Sequence, residues 1–208
     1  MPDPLIAHLA ATLTPVRPRR ASRELAALGL LALAEAGLLF WLGIARHDFG
    51  FRLAALESWK IVASACVAVA ATWIAVRGGD PGRTRVGAGA IGAVALIAFT
   101  VGVGMAHLSP VTLSEGLRPV DGLLCVLAAT IFACPPAIAL GLFLRRAAPA
   151  RPREAAFAAA VAAGATGATL LALHCPDDHA IHSLLWHSVA VVVPALVAMW
   201  PITRAAKW

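Results

Sequence analysis

The sequence is poor in charge: only 13 % of its 208 residues are Asp, Glu, Lys or Arg, while 60 % are hydrophobic. A soluble domain carries about a quarter charged residues, so this chain lacks the polar surface that covers a water-soluble globule. The composition is typical of a polytopic membrane protein whose partner is the lipid bilayer. The net charge of +6 does not indicate direct nucleic-acid binding. The basic residues fall in short groups between apolar runs, where membrane topology requires them.

Other residues and motifs that the sequence lacks exclude further kinds of protein. Tyrosine is missing, so an interfacial aromatic belt has to be built from the six tryptophans. The four cysteines include no Cys-x-x-Cys pair, which argues against a disulfide scaffold. Residues 1–24 contain no apolar core ahead of Leu25 and are not expected to be a cleavable signal peptide.

Six apolar runs are long enough, at about 20 residues each, to cross a bilayer as helices. The runs are continuous rather than alternating, which predicts helices and not strands. We therefore expect an all-α fold, a six-transmembrane-helix bundle. Spans three and five are rich in Gly and Ala, and we expect them to pack in its interior. The six runs are 25–45, 58–76, 86–106, 122–144, 154–174 and 183–203.

The basic residues predict the orientation of the bundle. Thirteen of the 17 fall in the N-terminal tail, the second and fourth loops and the C-terminal end. The positive-inside rule places these segments, and with them both termini, in the cytoplasm of a bacterial inner membrane. The outer side keeps only Arg46, Arg52, Lys60 and Arg118.

The stretch LHCPDDHAIHSLLWH, residues 173–187, concentrates metal-capable side chains between spans five and six. Cys125 opens span four and is expected on the same outer side. Thiolate and imidazole suit copper, zinc and other soft ions, but the two thiols are equally able to form a disulfide. A third interpretation is that a short turn at the membrane interface carries His and Asp only because it is solvated. From the residues alone, the metal site, the disulfide and the solvated turn all stay open. The candidate ligands are Cys125, Cys175, His174, His179, His182 and His187.

Other polar residues of the spans have structural explanations. Asp177 and Asp178 precede span six, whose N-terminus they are placed to cap. Cys66 and Cys134 lie near mid-span and are expected to be small apolar core residues. Glu35 is an intramembrane carboxylate, and we expect it to be neutral and hydrogen-bonded within the bundle.

The N-terminal segment has the pattern of a short amphipathic helix. Such a helix is too short to be stable alone and needs a membrane surface or a partner groove. We divide the chain accordingly into a partner-binding segment, 1–24, and a membrane domain, 25–208. The expected contact residues are Leu5, Ile6, Leu9, Leu13, Val16 and Arg17.

These segments resemble the NrsF family of membrane-bound anti-sigma factors. LIAHLAATLTPVRPRR is similar to the family's L-x-x-L-x-x-x-L-x-PV-R pattern, and LRRAAPARP follows span four. ALHCPDDHAIHSLLWH is similar to the family's LHCPED-x-x-x-x-x-x-LW, the most specific of the motifs.

The resemblance implies six membrane helices and an N-terminal segment that binds an extracytoplasmic-function (ECF) sigma factor. It also implies two cysteines needed for the response to metal stress, by position Cys125 and Cys175, with Cys134 as a second choice because the topology places it deeper in the membrane. It implies neither an enzymatic activity nor an obligatory cofactor, and is compatible with a regulatory ion such as copper or zinc. Family members more often lack histidine at positions 179, 182 and 187, which suggests a richer metal site in this chain.

Two other functions fit the sequence less well. A quinone-linked membrane thiol-redox protein usually carries the Cys-x-x-Cys pair that is missing here. A metal transporter needs ionisable residues along a path through the bilayer, and only Glu35 is clearly placed for that.

Overall fold

A computed structural model describes residues 20–46, 55–78, 87–106, 118–147, 149–177 and 179–206, together with Ile6, His8 and Ala11. Within these ranges the chain forms six long helices, each long and apolar enough to cross a membrane, which confirms the all-helical fold and the number of candidate spans. The helices are α1 (Ala21–Trp41), α2 (Ala55–Arg77), α3 (Gly87–Ala106), α4 (Pro119–Ala147), α5 (Pro152–His174) and α6 (Ala180–Ala205).

Helix α1 ends four residues before the predicted limit of span one, and Gly43 is the reason. Gly43 has a φ of 67°, a left-handed conformation that glycine adopts without steric cost. The N–H of Ile44 donates to the carbonyl of Leu39, and the N–H of Gly43 donates to that of Phe40. This pair of bonds is the Schellman motif, which closes the helix although the sequence beyond it stays apolar.

Successive helices run in alternating directions, so the bundle has two distinct ends. Leu39 of α1 packs with Leu170 of α5 at one end, where Lys60 of α2 also contacts the segment after α5. We call this the cysteine end. At the opposite end, Leu28 of α1 joins a core cluster that contains Val76 and Ile202. We call this the arginine end, since α4 finishes there with Arg145 and Arg146.

Helix α5 is the centre of the bundle. Of its apolar stretch 78 % is buried, against 11 % for α1 and for α3. The prediction that span five lies in the interior is confirmed, and the same prediction for span three is wrong. Small residues permit close helix contact without requiring it. Gly89, Gly92 and Gly104 of α3 face open space, so their small size is not used for packing.

Two glycines explain how closely the neighbours approach α5. A Cβ atom at Gly164 would collide with the carbonyl oxygen of Val191 in α6. A Cβ atom at Gly167 would collide with that of Ala129 in α4. The backbones of α4, α5 and α6 are therefore in direct contact, and these three helices carry the candidate site.

Most of the predicted partner-binding segment lies outside the described residues. This applies to Leu5, Leu9, Leu13, Val16 and Arg17. Ile6 is described, and 63 % of it is exposed.

Candidate functional site

Three helix ends bring two thiols and one imidazole together at the cysteine end. Cys125 lies in the second turn of α4, and His182 lies in the first turn of α6. Cys175 directly follows α5 in an extended conformation, with φ −68° and ψ 116°. The next residue, Pro176, disfavours helical geometry at the residue before it. Proline thus ends α5 at the point that presents the Cys175 side chain to its neighbours.

The three ligand atoms form an equilateral triangle. The sulfur atoms of Cys125 and Cys175 are 3.7 Å apart. The Nε2 atom of His182 is 3.7 Å from the Cys125 sulfur and 3.7 Å from the Cys175 sulfur. Among the described residues this is the group of His, Cys and carboxylate side chains with metal-binding geometry.

The triangle has the dimensions of a metal site. An ion in its plane lies about 2.1 Å from each corner, and an ion raised to the centre of a tetrahedron lies about 2.3 Å away. These lengths match zinc–nitrogen bonds of about 2.0–2.1 Å and zinc–sulfur bonds of about 2.3 Å. The donor set of two sulfurs and one imidazole suits copper(I), zinc and similar ions.

Of the two thiols in the triangle, Cys175 loses its proton more readily. The Cys125 thiol donates a hydrogen bond to the Cys175 sulfur, and this bond lowers the pKa of Cys175 below the ordinary thiol value. Burial opposes the shift, while the imidazoles of His182 and His187 add to it. Because the thiolate is the form that binds metals and attacks disulfides, Cys175 is the reactive member of the pair.

Asp177 lies beside two histidines, one of which belongs to the triangle. Its Oδ2 atom lies 3.3 Å from Nδ1 of His182, an ion-pair distance without hydrogen-bond geometry, and Nε2 of the same ring faces the sulfurs. Its Oδ1 atom lies 2.7 Å from Nδ1 of the exposed His179 and accepts the backbone N–H of that residue. The prediction that Asp177 caps α6 is confirmed in part: its carboxylate accepts the N–H of His179, the N-cap residue, whose own side chain makes no cap bond. Asp178 lies outside the described residues.

Two basic residues hold the backbone of the Cys175 segment. Lys60 is buried and donates from Nζ to the carbonyls of Cys175 and Asp177, both at 3.1 Å. Arg46 donates to the same Cys175 carbonyl at 3.3 Å. The sequence prediction counted both only as outer charges. A lysine within an apolar span is by default a functional candidate, and that signal could have found Lys60.

The remaining predicted residues are placed differently. His174 is half-buried, and its Nδ1 lies 2.7 Å from the carbonyl oxygen of Ile44 rather than in the triangle. His187 is buried beside the triangle without belonging to it. Cys66 and Cys134 are exposed on the bundle surface, so the expectation that they are core residues is wrong. The Oε2 atom of Glu35 has no hydrogen-bond partner among the described residues, contrary to expectation.

Comparison with known proteins gives one family. A family model described as "negative regulator of sigma F" matches residues 9–208. The probable anti-sigma-F factor NrsF of Azospira oryzae is 28 % identical over 214 aligned residues, covering 99 % of each chain. The anti-sigma-F factor NrsF of Caulobacter vibrioides is 39 % identical over 74 residues, covering 35 % of each chain. No solved structure matches the chain.

Proposed function

The chain belongs to the NrsF family, and from this membership we propose that it is an inner-membrane anti-sigma factor. Its N-terminal segment, 1–24, holds an ECF sigma factor in the cytoplasm. The thiol and imidazole triangle senses metal or oxidative stress on the periplasmic side and releases that factor. The observation that carries the sensing role is the 3.7 Å approach of Cys125, Cys175 and His182.

The distribution of charge supports this orientation. The arginine end holds Arg145, Arg146 and Arg151, while the triangle lies at the other end of the bundle. Basic residues next to membrane spans favour the cytoplasmic side. Arg77 and Arg204 also stack on Trp73 and Trp200, as is typical of side chains at a membrane interface. Both termini are then cytoplasmic and the cysteines periplasmic.

The N-terminal segment is proposed as the sigma-binding element. The exposed side chain of Ile6 is one member of its apolar face. The others, Leu5, Leu9, Leu13 and Val16, follow at helical spacing, with Arg17 after them. An amphipathic helix of this length gains stability when its apolar face enters a partner groove. The relatives are named anti-sigma-F factors, and an ECF-type partner for this chain is part of our proposal.

Two signals fit the chemistry of the triangle. A soft metal ion takes the two sulfurs and the imidazole nitrogen as ligands and displaces the remaining thiol proton. An oxidant of the peroxide or disulfide class takes two electrons from the sulfurs of Cys125 and Cys175 and the one thiol proton of Cys125, and the two sulfurs form one disulfide bond. The second proton that the reduced oxidant needs comes from solvent. Bond formation brings the sulfurs from 3.7 Å to about 2 Å. Either event changes how the ends of α4 and α5 pack.

Release follows only if the signal favours the arrangement that binds sigma less tightly. A tenfold weakening of sigma binding needs about 1.4 kcal/mol of coupling free energy. Structural metal sites bind with about 10–16 kcal/mol, so a small part of the binding free energy is sufficient.

The sigma-holding role is tested with full-length protein in nanodiscs. We expect wild type to retain the cognate ECF sigma factor, and we expect retention to be lost in Leu9→Asp and on removal of residues 1–20. Ala11→Glu is the matched control for a new charge in the same segment, outside the proposed apolar face. If the shortened protein still retains the sigma factor, the assignment of the N-terminal segment is wrong.

A further inference from the structure

Unpaired polar atoms gather beside the triangle. The described residues that are both polar and buried are Lys60, Ser64, His182, Ser183 and His187. Among the described residues, no hydrogen-bond partner is available to the Ser183 Oγ or to either ring nitrogen of His187. A buried polar group without a partner costs about 1–3 kcal/mol. Such a cost is expected where the groups serve a ligand.

His187 is the group aimed at the triangle. It is 5 % exposed, and its ring meets that of His182 edge to face, with centroids 6.3 Å apart and an interplanar angle of 70°. It is also close enough to the Cys175 sulfur to favour the thiolate of that residue. His187 is nevertheless outside the group whose ligand atoms all lie within 4.8 Å of one another.

The distance between the two rings is slightly too long for joint coordination. Two imidazoles on one tetrahedral ion, with metal–nitrogen bonds of about 2 Å, have ring centroids roughly 5 Å apart. The observed 6.3 Å exceeds this by about 1 Å. The triangle alone provides three ligands, the base of a tetrahedron. His187 is a buried imidazole next to it whose two ring nitrogens have no hydrogen-bond partner among the described residues.

We propose that His187 is a fourth ligand, recruited when the ion binds, and that its recruitment moves α6 to release the sigma factor. This proposal rests on the proposed sensing function and deepens it. It names the activating ligand as a divalent ion of the zinc class, which prefers four tetrahedral sulfur and nitrogen ligands. Copper(I), which is satisfied by the three-ligand triangle, fills the same site without drawing in His187.

The contacts of α6 beyond His187 explain how a small movement of this residue reaches the other end of the helix. Val191 follows His187 by one turn of α6, and its carbonyl is in direct backbone contact with Gly164 of α5. Ala190 is fully buried and belongs to the same hydrophobic cluster as Cys175 and Val126. Since packed interiors do not yield locally, α6 slides along α5 as a rigid element. Its far end, at Ile202, belongs to the core of the arginine end.

The test uses full-length protein in nanodiscs, with zinc as the probe, and compares wild type with His187→Leu. Leucine removes the ligand and the unpaired nitrogens together, so the variant is expected to fold. We expect His187→Leu to bind zinc at least about 10-fold more weakly, the lower bound that even residues behind a ligand contribute. When saturated with zinc it should keep its sigma factor, whereas wild type releases it. His187→Cys, which restores a soft ligand, should release the sigma factor again. His174→Leu is the matched control outside the triangle and should behave as wild type.

X-ray absorption at the zinc edge provides a readout that does not depend on the sigma factor. We expect two sulfur and two nitrogen ligands in wild type, and one nitrogen fewer in His187→Leu. Two nitrogen ligands in both proteins, or sigma release from zinc-saturated His187→Leu, would overturn the role of His187. Sigma retention by zinc-saturated wild type would instead overturn zinc as the signal assumed in the proposed function.

Discussion

The sulfur atoms of Cys125 and Cys175 lie 3.7 Å apart although 50 residues separate them in the chain. Each is held by a different helix end, and both helices are in backbone contact through Gly167. The distance between the two sulfurs therefore depends on how α4 packs against α5. This relationship makes the two thiols suitable for a sensor, since closing a bond across them or binding an ion between them acts on the packing of the bundle.

Removal of either thiol should abolish zinc binding at the triangle. We expect Cys125→Ser and Cys175→Ser each to weaken zinc binding by more than about 100-fold, since even residues behind a ligand contribute about 10- to 100-fold. Cys66→Ser and Cys134→Ser are matched controls, because both cysteines are exposed outside the triangle. Competition with a chromogenic chelator measures the affinities. Equal affinities in all four variants would contradict the assignment.

Zinc binding should release one proton from the thiol pair rather than two. The hydrogen bond from Cys125 lowers the pKa of Cys175 and favours its thiolate, while Cys125 keeps the proton that it donates. The thiolate of Cys175 therefore persists below the ordinary thiol pKa of about 8.5 and is lost as pH falls through the lowered value. Between about pH 7 and about pH 8, the logarithm of the affinity should rise by about one per pH unit.

Calorimetry in buffers of different ionisation enthalpy measures this proton release directly. Release of two protons per ion from the thiol pair would show that Cys175 is an ordinary thiol.

Lys60 should stabilise the segment that carries Cys175. Lys60→Met removes the donor to the carbonyl of Asp177 and one of the two donors to that of Cys175. Leaving a buried acceptor unpaired costs about 1–3 kcal/mol, so we expect a loss of that size in the free energy of unfolding. Lys60→Arg keeps a donor and should lose less. Detergent-induced unfolding measures both, and a Lys60→Met protein as stable as wild type would argue against this role.

Gly167 should be essential for the contact between α4 and α5. Gly167→Ala places a methyl group against the backbone of Ala129, which forces the helices apart and should cost about 1–3 kcal/mol. Gly92→Ala in α3 is the matched control, since nothing lies within 4 Å of its Cβ position. It should be neutral or stabilising by up to about 1 kcal/mol, because alanine is the better helix former. Unfolding midpoints of the two variants give the comparison.

The sequence was sufficient to predict the spans, because continuous apolar runs leave helices as the only solution in a bilayer. It was also sufficient to place Cys125, Cys175 and His182 at one end of the bundle. It did not predict that His174 points away while His182 joins the sulfurs, since that depends on where Pro176 ends α5 and where α6 begins. The peripheral position of α3 was missed because a Gly-rich helix suits either a helix interface or lipid.

Lys60 was missed for a different reason. Its position in an apolar span marks it as a functional candidate, but its role depends on two carbonyls more than 100 residues away, and the sequence does not indicate which groups it contacts.

The most direct test of the sensing role is zinc titration of the full-length complex with its sigma factor in nanodiscs, recording bound zinc and released sigma factor together. We expect release to saturate at one zinc per chain in wild type and to be absent in Cys175→Ser, which should still hold the sigma factor. Retention of the sigma factor by zinc-saturated wild type, or equal release from Cys175→Ser, would contradict the account.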